Sequence, residues 1–81
     1  MATHRKEWLS AFGQAVRELR TRIRISQEAL GPKCGLDRSY VSGIERGVRN
    51  PTLLVILRLA EGLETTPSEL MNLAEERLGD E

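Results

Sequence analysis

The residues best equipped to recognise a partner lie between Asp37 and Asn50. Wound as a helix at about 100° per residue, this stretch turns Val41, Ile44 and Val48 to one side. Ser39, Ser42, Gly43 and Arg46 fall opposite, with Arg38 and Tyr40 at the flanks. The outer arc is therefore a row of hydrogen-bonding ends around a residue that has no side chain. Arg38 carries a guanidinium fork that fits O6 and N7 of guanine, a pairing worth about 1–3 kcal/mol of discrimination. Ser39 can bond several base edges, and Gly43 would let a base or methyl group come close. Tyr40 suits a phosphate or a thymine methyl, and equally a packing role. This is the chemistry of recognition rather than turnover. One histidine and one cysteine, with no glycine-rich phosphate loop and no recognisable carboxylate pair, predict no enzyme, no metal site, no cofactor and no small-molecule ligand.

Such a face needs elements to hold it. Capping residues, glycines and prolines cut the chain into five segments, each with helical spacing. In the first, Trp8, Phe12, Val16, Leu19 and Ile23 form one apolar stripe from about residue 5 to 23. The second opens at Ser26 and stops at Gly35; the third opens at Asp37 and stops at Gly47. Two short helices about a glycine-centred turn match a helix-turn-helix, whose second helix enters the DNA major groove. The fourth segment, from near Thr52, is apolar almost all round, so part of it should meet another subunit. The fifth opens on a capping box, Thr66-Pro67-Ser68-Glu69, with proline at the first helical position.

Composition agrees with one all-α domain over residues 1–81, helix-turn-helix at about 26–47 and dimerisation helices at about 52–78. Forty percent apolar content with only 4% aromatic residues favours helices over a β-sandwich. One cysteine excludes an internal disulfide and predicts a small buried hydrophobe at Cys34. No apolar run approaches the length of a membrane span, and MATHRKEW has no apolar stretch of a signal peptide, so the expected location is the cytoplasm. Net charge is zero, yet residues 1–50 carry a balance of +5 and residues 51–81 a balance of −5. The first half is thus suited to meet a polyanion while the second points away.

The run SQEALGPKCGLDRSYVSGIERGVRNPTLLVILRLAEGLETTPSEL resembles the phage repressor and Cro type of helix-turn-helix domain, the XRE family, over roughly residues 9–72. Within it, DRSYVSGIERGVRNPTL at 37–53 is most similar to controller proteins of restriction-modification systems. The resemblance implies a five-helix, lambda-repressor-like fold and a regulator that binds palindromic double-stranded DNA as a homodimer. It implies that Gln27 clamps a phosphate, and that Arg46, Arg49 and Asn50, with Ser42 beside them, touch the sugar-phosphate backbone. It implies also that Arg20 pairs with Glu45, which lies only about 40° from Val41 and needs a partner on that inner side. Leu54, Val55, Leu59, Leu70 and Met71 are the candidates for the dimer contact. RNA polymerase is a further partner to consider, with Glu61, Glu64, Glu75 and Glu76 available to it. An antitoxin, an interaction adaptor and an autonomous phage-type repressor share the same pattern and stay open. Two features depart from it: overall neutrality, and Gly31-Pro32 inside the second helix. Proline there removes a hydrogen bond and clashes with the carbonyl of Glu28, about 3 kcal/mol in a regular helix, so a kink or an early end is expected.

Overall fold

The computed structural model describes residues 4–79 and contains five helices: α1 (Arg5–Arg22), α2 (Gln27–Cys34), α3 (Arg38–Glu45), α4 (Leu53–Gly62) and α5 (Pro67–Leu78). Among the described residues there is no strand, and no helix is long and apolar enough to cross a membrane. Residues 1–3 and 80–81 of the expected domain lie outside the described range.

Helix α1 is the spine. It packs along α5 on one side and against α3 on another, while α2 bridges α3 and α4. Phe12, Ala15, Val16 and Leu19 from its stripe meet Leu30 and Cys34 of α2, Val41 and Ile44 of α3, Leu59 and Ala60 of α4, and Leu70 and Ala74 of α5. Burial holds the Cys34 thiol above its ordinary pKa, so the side chain packs as a neutral apolar group.

The helix starts are read from side chains. Ser26, Thr52 and Thr66 each accept from the amide three residues on, at 3.0, 3.3 and 3.1 Å. Asp37 occupies the same position before α3, but its side chain makes no cap bond. The ends follow one rule as well. Four helices close with a left-handed residue and paired reverse bonds. That residue is Gly35 after α2 and Gly47 after α3, but Arg24 (φ 61°) after α1 and Glu64 (φ 60°) after α4.

Two expectations need correction. Helix α2 does not end at Pro32; it continues to Cys34. Glu28 and Pro32 both lie on the exposed side, where water can serve the carbonyl that loses its donor. Gly31 has no Cβ to collide with the proline ring behind it. A Cβ on Gly31 would also come within 2.6 Å of the Leu36 carbonyl, so the glycine lets the turn fold back tightly onto α2. Val48, placed by periodicity beside Val41, is instead 62% exposed. The chain turns away at Gly47, and helical phase no longer applies beyond it.

Candidate nucleic-acid interface

Helix α3 presents the predicted outer arc. Arg38, Ser39 and Arg46 are exposed and Ser42 is partly so. Together with Asp37 they line one shallow open hollow on the surface. Arg46 Nε donates to Ser42 Oγ at 3.3 Å, one turn earlier, which lays the arginine along the helix. The opposite side of α3 is anchored by Val41 and Ile44, both at most 1% exposed. Arc and anchor are fixed by one helix and its closing residue, 38–46, so the polar side cannot rotate inward without exposing the core.

Of the two roles open to it, Tyr40 takes the packing one in this structure. It packs half-buried against the core, and its ring carries the Arg49 guanidinium at 5.7 Å from its centroid. Arg49 then explains Gly43. A Cβ on Gly43 would lie 2.6 Å from Arg49 Cγ, and the glycine is buried. The space predicted for a base or methyl group is therefore filled by the aliphatic stem of Arg49. Gly43 shapes this face from beneath an arginine instead of offering an open notch. Asn50 follows, exposed, at the same end of the arc.

Behind the arc, Arg20 of α1 meets Glu45 of α3 through two bonds, Nε to Oε2 at 2.6 Å and Nη2 to Oε1 at 3.0 Å. Only 15% of the Arg20 side chain and 3% of that of Glu45 are exposed. The hydrogen bond to Glu45 outweighs the desolvation of Arg20 and raises its pKa above the usual arginine value. Arg20 Nη1 also donates to the Ile25 carbonyl at 2.9 Å, holding the entry to α2. Gln27, at the first position of α2, is half-buried and donates from Nε2 to Glu45 Oε1 at 3.0 Å. Its spacing from Glu45 gave no sign of this contact; only the packing of α2 across α3 brings the two together.

The interface candidates on the far helices divide. Leu59 and Leu70 are 0% exposed and belong to this chain's own core, so they are withdrawn as dimer contacts. Val55 is half-buried against that core. Leu54 is 56% and Met71 38% exposed. Sequence reading overlooked Leu53 and Leu57, 72% and 42% exposed, which share a face of α4 with Leu54. Leu57 stands three residues from Leu54 and four from Leu53, and that spacing was the available signal.

Residues 16–70 match the family model HTH_3, described as Helix-turn-helix. The chain is 42% identical over 62 residues to Control protein C.BamHI of Bacillus amyloliquefaciens, spanning 75% of this chain and 76% of that one. Among solved structures, the restriction-modification controller protein C.AhdI from Aeromonas hydrophila is 56% identical with a TM-score of 0.75, over 76% of this chain and 94% of the other. The wild-type restriction-modification controller protein C.Esp1396I is 30% identical with a TM-score of 0.83, over 91% of this chain and 96% of the other.

Proposed function

The chain belongs to the XRE-type helix-turn-helix family of DNA-binding transcriptional regulators, and on that premise we propose that it is a restriction-modification controller that reads a palindromic operator as a homodimer. The observation that carries this is the α3 arc: Arg38, Ser39, Ser42 and Arg46 held outward on a helix whose other side is locked in the core. Arg38 stands at the first position of α3, where it reaches base edges first; Ser39 reads beside it. Gln27, Ser42, Arg46, Arg49 and Asn50 hold the sugar-phosphate backbone and set register. A single module of this size reads few base pairs. Pairing through the exposed Leu53, Leu54 and Leu57 face of α4, within the dimerisation region at about 52–78, would set two α3 helices one DNA turn apart, about 34 Å. Two relatives described above are named as controllers of restriction-modification systems, which favours that role over an autonomous repressor or an antitoxin.

The test is selection from random duplexes followed by anisotropy titration on the recovered site. The expected consensus is two-fold symmetric, with binding that weakens steeply as salt rises because several phosphates are neutralised. Arg38→Ala should cost about 1–3 kcal/mol on the selected site and much less on scrambled duplex, relaxing preference at one position in each half-site. Recovery of no preferred sequence defeats the proposal.

A further inference from the structure

Gln27 does not stand free at the head of α2. Its Nε2 donates to Glu45 Oε1, the oxygen that also takes Arg20 Nη2. A primary amide has two N–H donors and one carbonyl, and Glu45 consumes one of the donors. We propose that Glu45 is a positioning residue for the DNA-backbone contact of Gln27: gripped by Arg20, its carboxylate fixes the Gln27 side chain so that the second amide hydrogen is presented to a phosphate oxygen.

The charge arrangement makes this workable. A free carboxylate beside the phosphate track would repel the duplex, whereas the Arg20 guanidinium cancels it at 2.6 Å. Arg20 also holds the Ile25 carbonyl immediately before the Ser26 cap, so one ion pair ties α1, the entry to α2 and the end of α3. Gln27 then loses its rotamer freedom on folding instead of on binding, an advantage of about two- to tenfold in affinity.

The inference rests on the DNA-binding reading above and is tested by a double-mutant cycle on the intact chain with the selected duplex. Temperature is set where circular dichroism shows every variant folded. Glu45→Gln leaves one acceptor oxygen for which the Arg20 donors compete, so Gln27 loses its partner. Glu45→Asp serves as the second variant, since it keeps the charge for Arg20 but retracts the carboxylate by one carbon. Gln27→Ala and either Glu45 variant should each weaken binding about two- to tenfold. Combined, they should be no weaker than Gln27→Ala alone. The slope of affinity against salt should stay unchanged for Gln27→Ala and for Glu45→Asp, because neither alters a charge and a neutral amide releases no counterion. In contrast, Glu45→Gln with Arg46→Ala should multiply. A purely structural Glu45 would instead multiply with Gln27→Ala. That result, or a Glu45 variant that binds as tightly as the original, overturns the inference and leaves the proposed function standing. An unmutated chain that binds no duplex overturns both.

Discussion

The Arg49 side chain crosses the one residue of the outer α3 arc that has no side chain of its own. Gly43 is buried beneath it, and the Tyr40 ring supports its charged end. Conformational freedom is not the reason for glycine here, since Gly43 lies inside α3 in helical geometry. Space is the reason. Gly43→Ala should improve the intrinsic helix preference of α3 by about 1 kcal/mol, while the new methyl forces Arg49 from its seat. The expected outcome is a melting temperature within a few degrees of the parent together with weaker DNA binding, measured by anisotropy. If affinity is unchanged while Arg49→Ala lowers it, the seat is irrelevant to the contact. Glu45 works differently at the same scale. It stabilises by being paired, and its partners fix where Gln27 stands.

At the level of elements, the same reverse turn closes four helices but only two of the closing residues are glycines. Arg24 and Glu64 hold the left-handed conformation with a Cβ, at a cost of about 1–2 kcal/mol each. Arg24→Gly should therefore raise stability toward unfolding by up to about 1 kcal/mol, read as a higher urea midpoint with an unchanged slope. A lower midpoint would mean that the arginine makes contacts worth more than the strain. The pairing of α1 with α5 has a pH signature. Arg77 donates to Glu18 from Nε at 2.8 Å and from Nη2 at 2.9 Å, and these bonds hold the Glu18 carboxyl below its usual pKa. A lowered folded pKa means the contribution is present above the unfolded carboxylate value, about 4.3, and is lost as pH falls through the folded one. The pair is partly solvated, so its worth is about 0.5–1 kcal/mol. Glu18→Gln should be less stable than the parent at pH 7, with the difference shrinking as pH falls below the unfolded carboxylate value and through the lowered folded one. A constant difference across that range argues against the pair.

For the molecule as a whole, net charge misleads because it averages two halves of the sequence with opposite sign. The basic excess lies within residues 1–50, which carry the helix-turn-helix, and the acidic excess within residues 51–81. Apolar surface is divided in a similar way. The second half supplies Leu59, Leu63 and Leu70 to the core and leaves Leu53, Leu54 and Leu57 outside it. A contiguous exposed face of this kind on a small domain is suited to self-association. Leu54→Glu with Leu57→Glu should give a monomer in sedimentation at micromolar concentration. Its unfolding should change by no more than about 1 kcal/mol, since neither side chain is buried in the chain. A double variant that still forms a dimer would move the proposed contact elsewhere.

Periodicity and caps alone were enough to place five helices, the glycine-centred turn and the outward arc of α3, because these depend on neighbours three or four residues apart and on local dihedral preferences. The resemblance to XRE domains added Arg20 as the partner of Glu45. What local pattern could not reach were quantities that depend on which element lies across from which. Leu59 and Leu54 are both apolar residues of α4, yet one is buried and the other exposed. The choice between them was made by α2 and α5 covering one side of α4 and not the other. Likewise, Gly43 lies under Arg49, and Gln27 reaches Glu45, only after the chain has turned back on itself. Pro32 stayed within its helix because its lost hydrogen bond faces water, a matter of exposure that no helix propensity records.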